Sequence, residues 1–533
     1  MEKRQKKSWP FVWICASALI HGVVYGQGGV KLMAGDPAIG NTFGQAVSIS
    51  GSFALIGSPG DGDVGLSSGS AYVFMKTATG WIQEAKLIGS DVTASDLSGL
   101  AVSLSGSSAV VAASFHDEGG VQNAGAAYVF IRTGSGWVQE AKLTPSDPPA
   151  ASDFFGNAVA IDGNLALIGA ANRDEVGTNS GVVYVFARTG ASWAQEAKLI
   201  PSDAAVGDFF GHAVSLSGNF ALVGAKGKNS MGAAYVFERM SSGWVQNAKL
   251  TSSDLALNDL FGNSVSISGS YAVVGAPFAD PSGKTLAGKA YVFENTGSGW
   301  IEAAKLIASD AGEKDEFGYA VGVSGSTAVV GAHYDNNAGL VDPGSAYIFK
   351  RKTAGWTQTK KLTASGAVKD ARFGEAVAIN SGLGLIGAPY QSASGFIAAG
   401  AAYVYSLGAG AAKLDVTETA TAPVPATFAL RQNYPNPFLS AAKSPVLGGG
   451  NSATIIHFDI PNAIAGSAPV VLKIYDVTGR EVRTLMSARV EPGRHSAPWD
   501  GRNDRGEAVP SGIYLYRLVA GEFSAAKKMI LAR

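Results

Sequence analysis

The phrase Gly80-Trp81-Ile82-Gln83-Glu84-Ala85-Lys86-Leu87 returns in variant form at Trp137, Trp193, Trp244, Trp300 and Trp356, at intervals of 51 to 56 residues. A unit of that length holding several short strands cannot bury its apolar face alone. It must stack on copies of itself, as a propeller or a solenoid does. A second marker keeps step with the first: Phe43-Gly44, Ser98-Gly99, Phe155-Gly156, Phe210-Gly211, Phe261-Gly262, Phe317-Gly318 and Phe373-Gly374. There are thus seven units but only six Trp strands.

Each unit reads as four strands. In the third they are Ala158-Val159-Ala160-Ile161, Leu165 to Gly169, Val183 to Phe186, and Trp193 to Leu199. Asp162-Gly163-Asn164 joins the first two as a tight hairpin, a use of Gly that suits strand twist. In the fourth strand Trp81, Gln83, Ala85 and Leu87 share one face, with Ile82, Glu84, Lys86 and Ile88 on the other. Charges on that outermost strand blunt an otherwise exposed edge. The repeated Phe is expected to fill the gap between neighbouring units, and its Gly to permit close backbone approach. Seven units of four strands predict a closed β-propeller. The seventh lacks a Trp strand, so an N-terminal Val30-Lys31-Leu32 or a later Ala412-Lys413-Leu414 must supply its outer edge.

Composition agrees with many short strands joined by turns. The 533 residues include 69 Gly, and only 16% are charged, against roughly 25% in ordinary domains. A net charge of −1 with no basic stripe gives no basis for a nucleic-acid partner. Lys3, Arg4, Lys6 and Lys7 precede an apolar run from Phe11 to Tyr25, the pattern of a secretory signal peptide over residues 1–26. The single cysteine, Cys15, falls inside that run, so the mature chain has neither a disulfide framework nor a thiolate metal site.

The run Phe-Gly-x-x-Val-x-Ile-x-Gly, then Gly275-Ala276-Pro277 or Gly387-Ala388-Pro389, then Ala-Tyr-Val-Phe, resembles the FG-GAP repeat. That family includes the propeller of integrin α subunits and many secreted bacterial proteins. The resemblance implies a propeller over residues 28–414. Integrin-type repeats hold calcium in an Asp-rich loop between the first two strands. Here that loop is only Ser-Gly-Ser, Ser-Gly-Asn or Asp-Gly-Asn, too short for six to eight oxygen ligands. Asp61-Gly62-Asp63 lies in a different loop and is the one remaining calcium candidate, though no cofactor or metal is expected.

Repeated polar residues read as scaffold. Asp96, Asp153, Asp208, Asp259 and Asp315 each stand two residues before the Phe-Gly position, and Asp91, Asp147, Asp203, Asp254 and Asp310 follow each Lys-Leu by four. Asp commonly bonds nearby backbone in turns. The loops between second and third strands vary most, and loops on a rigid scaffold are where binding residues concentrate. They nominate His116, Asp117, Glu118, Arg173, Asp174, His333, Tyr334 and Asp335 as contacts for a glycan or protein ligand. No H-E-x-x-H, G-x-S-x-G or phosphate loop occurs, which argues against an enzyme.

Residues 415–427, rich in Thr, Ala and Pro, read as a linker. Residues 428–533 then read as strands of a small immunoglobulin-like β-sandwich. Several phrases there resemble the type IX secretion C-terminal sorting domain and the related fold of flagellar hook-capping proteins. They are Asn433-Tyr434-Pro435-Asn436-Pro437-Phe438, Lys473 to Val482, Trp499-Asp500-Gly501, Ser511 to Leu518 and Lys527 to Leu531. The resemblance implies export by type IX secretion machinery to the exterior or outer-membrane surface of a Gram-negative bacterium. The expected protein is therefore an all-β, monomeric surface binding protein of the adhesion type. The alternative is an extracellular hydrolase of a polysaccharide or other polymer.

Overall fold

The computed structural model describes residues 24–25, 29–134, 136–393, 395–407, 428–430, 433, 438–439, 454–461, 470–488, 493–521 and 523–532. The signal segment up to residue 23, the linker and residues 412–414 lie outside them. The chain divides into two compact units, Met1–Ala411 and Ala412–Arg533.

The first unit is a seven-bladed β-propeller. Blade 1 is an antiparallel sheet of Val47–Ser50, Phe53–Ser58, Ser70–Thr77 and Gly80–Leu87 in sequence order, and blades 2 to 6 repeat it. Blade 7 has Val377–Asn380, Leu383–Ala388 and Ala401–Ser406, and its fourth strand is Gly29–Leu32. Val30 pairs with Val404, Lys31 with Tyr403 and Leu32 with Ala402. The propeller's first and last strands therefore share one sheet, which closes the ring. Val24–Tyr25 adds a short fifth strand outside it.

Packing explains why the second strands are almost wholly apolar. Leu165–Ala170 is buried at every position because sheets of the neighbouring blades cover both of its faces. The repeated Phe fills the gap as expected. Phe155 is completely buried among Val110, Ala112 and Val129 of blade 2 and Ile168, Tyr184 and Phe186 of blade 3. The Gly after it is required by the same closeness. At Gly44 (φ +100°) an added Cβ would stand 2.4 Å from the Ala401 carbonyl of blade 7.

Two edges need other solutions. The innermost strands present unpaired N–H groups, and serines of the preceding blade accept from them: Leu104 N to Ser48 Oγ, Ile161 N to Ser103 Oγ, Ile267 N to Ser215 Oγ and Val323 N to Ser266 Oγ, all 3.0–3.1 Å. At the outer edge the expected strict alternation fails. Every fourth strand of blades 1 to 6 carries a one-residue bulge, skipping Glu84, Glu140, Glu196, Asn247, Ala303 and Thr359 in turn. A bulge re-aims the side chain it contains. Glu84, Glu140 and Glu196 accept from the indole Nε1 of Trp137, Trp193 and Trp244 in the next blade at 2.9–3.0 Å. Asn247 and Ala303 do not, and Trp300 and Trp356 Nε1 are buried without a partner.

In the second unit, Thr454–Ile460 pairs with Gly493–Trp499, while Val470–Asp476, Glu481–Ala488, Gly512–Ala520 and Phe523–Ala532 form the facing sheet. The two sheets close on Ile456, Phe458, Leu472, Ile474, Tyr516, Leu518 and the buried Trp499. Asn433, from the Asn-Tyr-Pro phrase, is buried, with its backbone N–H 2.8 Å from Tyr516 Oη and its amide 2.9 Å from Thr454 Oγ1. The sandwich is immunoglobulin-like, as its turn spacing predicts.

Candidate functional site

Both recurrent aspartate series are spent on architecture. Asp96, Asp153, Asp208, Asp259 and Asp315 each accept from the backbone N–H three residues earlier, at 2.6–3.0 Å. Asp91, Asp147, Asp203 and Asp254 each bind the Tyr of the third strand and the Lys of the Lys-Leu phrase in one blade; Tyr128 Oη and Lys142 Nζ lie 2.8 and 2.6 Å from Asp91. Asp310 binds Lys361 at 2.6 Å in the same way.

Most of the variable-loop candidates serve the same end. One position, three residues past the second strand, carries Asp61, His116, Arg173, Lys228, Ala279, Asp335 and Gln391 in blades 1 to 7. His116 is buried with Nδ1 2.7 Å from Asp96; Arg173 lies 2.5 Å from Asp153, and Lys228 2.9 Å from Asp208. Asp335 accepts from Ser345 at 2.5 Å and pairs with Lys361 at 2.8 Å. Asp117 and Asp174 accept from their own loop backbones at Asn123 and Asn179, and Glu118 pairs with Lys142. Six of the eight nominated residues thus brace their own blades. Asp36, Asp61 and Asp63 converge as a metal site would, but Lys86 Nζ stands 2.5–2.8 Å from all three and supplies the positive charge itself. Burial works against that ammonium, yet Asp61 and Asp36 outweigh it and raise the Lys86 pKa.

His333 and Tyr334 belong elsewhere, at the end of the ring where first strands begin and second strands finish. The residue before Phe-Gly is held there in the left-handed region in every blade: Thr42, Leu97, Phe154, Phe209, Leu260, Glu316 and Arg372, all at φ 50–56°. A non-Gly residue in that conformation costs about 1–3 kcal/mol, and such positions gather at binding sites. Phe154 and Phe209 help line a cavity of about 390 Å³ across blades 2 to 4 with Leu100, Phe115, His212 and Lys226. Phe154 packs on Phe115 of the preceding blade at 4.9 Å between rings.

Between blades 6 and 7 the same repeat positions carry charge. Arg372 lies over Tyr334 as Phe154 lies over Phe115, with its guanidinium 4.9 Å from that ring and 4.5 Å from Tyr390. His333 is buried between Tyr319 and Tyr334, at ring separations of 4.0 and 4.1 Å. Its Nε2 is 3.6 Å from Glu316 and 3.8 Å from Glu375. Glu375 Oε1 accepts from Gln45 of blade 1 at 3.2 Å, whereas Glu375 Oε2 and His333 Nδ1 are buried without a hydrogen-bond partner. Burial, then Glu375, push the Glu316 carboxyl up to about 7 against the pull of Arg372. Burial raises Glu375 too, and holds the His333 imidazole neutral with its pKa near 3. Perturbed groups gathered in one cluster make it a candidate functional site. Glu316, Tyr319, Arg372, Glu375 and Tyr390 escaped the sequence reading. The available signal was charge before Phe-Gly, where the other units have Thr, Leu or Phe.

Seven segments of the chain match the FG-GAP repeat: residues 29–74, 81–130, 137–186, 193–237, 244–293, 300–349 and 356–405. The chain belongs to the FG-GAP repeat family. Within this FG-GAP propeller each match ends in the third strand of a blade, and all but the first begin on a Trp. Residues 453–522 match the FlgD Ig-like domain. No curated protein matches the chain. Among solved structures it is similar to PorZ, described as an essential bacterial surface component of the type-IX secretion system of Porphyromonas gingivalis, at 12% identity and a TM-score of 0.41. That likeness covers 94% of this chain, which spans only 61% of the PorZ structure. A putative 6-phosphogluconolactonase from Bacteroides fragilis is similar at 12% identity and a TM-score of 0.40, over 60% of this chain and 83% of that one. Chaetomium thermophilum Sqt1 is similar at 14% identity and a TM-score of 0.40, over 67% and 83%. None of these likenesses bears on what the FG-GAP propeller binds.

Proposed function

We propose that this FG-GAP protein is a secreted or surface-displayed binding protein whose ligand docks at the ring mouth of blades 6 and 7. The carrying observation is the cluster of Glu316, Tyr319, His333, Tyr334, Arg372, Glu375 and Tyr390. Glu316 and Arg372 stand at the repeat position of Phe154 and Phe209, and Tyr319 and His333 at those of His212 and Lys226. Aromatic faces beside a few convergent polar groups are the usual make-up of a small-ligand site. The tail, on the strength of its ordered phrases, acts as an address read by type IX secretion machinery. Fusing residues 428–533 behind a signal peptide to a fluorescent reporter tests that part. In a host with the pathway the reporter reaches the cell surface or medium, and periplasmic retention contradicts the address.

A second reading has an observation of its own. The half-buried Glu316 and buried Glu375, both with raised pKa values, flank a neutral imidazole, and polysaccharide hydrolysis uses a carboxylic acid held protonated near neutrality beside a second carboxyl. Release of reducing ends from a polysaccharide panel by the full chain, abolished in E316Q, would favour the hydrolase.

A further inference from the structure

Arg372 carries the most specific information in the mouth. Two tyrosine rings fix its guanidinium, yet among the described residues the guanidinium nitrogens make no hydrogen bond or ion pair. Glu316 and Glu375 lie close enough for its charge to act on their carboxyls, but neither is in ion-pair contact with it. A stacked guanidinium presents a rigid fork of N–H donors and loses little freedom when an oxyanion docks. Such a fork matches a planar carboxylate with two parallel hydrogen bonds.

The neighbours decide what bears that carboxylate. One cation faces the carboxyls of Glu316, Glu375 and Asp342, so a doubly charged phosphate would be repelled as they ionise, while a singly charged group is tolerated once Glu316 holds its proton. The remaining groups around the fork are the half-buried phenols Tyr319, Tyr334 and Tyr390. Phenols and a protonated carboxyl both donate and accept, as sugar hydroxyls do, and a Tyr face accommodates a pyranose ring. We propose that the mouth between blades 6 and 7 binds acidic polysaccharide, with Arg372 forking the carboxylate of a uronic acid. This rests on the reading of the propeller as a binding protein and names its ligand class.

Binding should also weaken as pH rises. Glu316 faces Glu375 and Arg372 from blade 7 and His333, Tyr319 and Tyr334 from blade 6. His333 stays neutral throughout, so the carboxyls govern the trend, and ionised carboxylates repel the uronate.

The test is calorimetric titration of the full chain with an oligogalacturonate at pH 6 and pH 8, beside its methyl-ester and a sulfated dextran. The account expects binding to the free acid, at least tenfold loss on esterification, at least tenfold loss in R372A and R372K, and weaker binding at pH 8. R372K keeps the charge and removes the fork, and circular dichroism checks that both variants fold. Equal binding of the ester, unchanged affinity in both variants, or preference for the sulfated polymer overturns the proposal. A glycan and matrix-protein array run in parallel separates the two levels. Capture of a neutral glycan or a protein with no uronate bound sinks the ligand class but leaves the binding reading standing, and silence across the array sinks both.

Discussion

At the residue scale, the repeat shows its workings where it lapses. Trp137, Trp193 and Trp244 have a glutamate acceptor from the preceding blade, whereas Trp300 and Trp356 do not because Asn247 and Ala303 stand in its place. A buried donor left unpaired costs about 1–3 kcal/mol. A303E should therefore raise the denaturation midpoint, by about 1 kcal/mol of stability, and E140A should lower it by at least as much, since Glu140 also holds Arg188 at 2.5 Å. Glu316 gives a pH signature. Its folded pKa, about 7, lies above its ordinary 4.5, so the native state binds more protons between those values and its stability falls as pH rises through that window. Thermal unfolding from pH 4.5 to pH 8 should show this decline, and E316Q should flatten it. The mouth was hard to read at this scale for a physical reason. Its residues come from two blades 56 positions apart, as Glu316 and Arg372 do, at a site that holds Thr, Leu or Phe in the other units. Only folding brings them together, and repetition makes them look like scaffold.

At the element scale, strand count carried most of the fold. Four runs per unit, the Phe-Gly marker and the short Gly turns all correspond to strands and hairpins of the propeller. The deficit of one Trp strand located the incomplete blade, and Gly29–Leu32 fills it. Deleting residues 29–32 removes the pairing to Tyr403 and Val404 and uncovers the buried outer face of blade 7, so the thermal midpoint should fall by several degrees or more. An unchanged midpoint would mean that the ring closes without this strand. The bulge in each fourth strand was not legible, because period-2 alternation in Trp81 to Leu87 reads the same with or without an extra residue. What reveals it is a cross-blade partner, the indole of the next unit, which no local pattern contains.

At the scale of the whole molecule, seven near-identical blades make a rigid ring whose symmetry is broken at one mouth. Loop variability suggested a site spread over His116, Arg173 and Asp335, but those side chains bond to Asp96, Asp153 and Lys361 of their own blades. Charge in place of the Thr, Leu or Phe that precedes Phe-Gly in the other units points instead to blades 6 and 7. The direct test is capture of glycans and matrix proteins on an array by the wild-type full chain, by a mouth variant (R372A with Y334A) and by a loop variant (D117A with D174A). The account predicts that the loop variant keeps the wild-type binding pattern and the mouth variant loses it. A mouth variant that binds as wild type does, or a loop variant that alone loses binding, would contradict it.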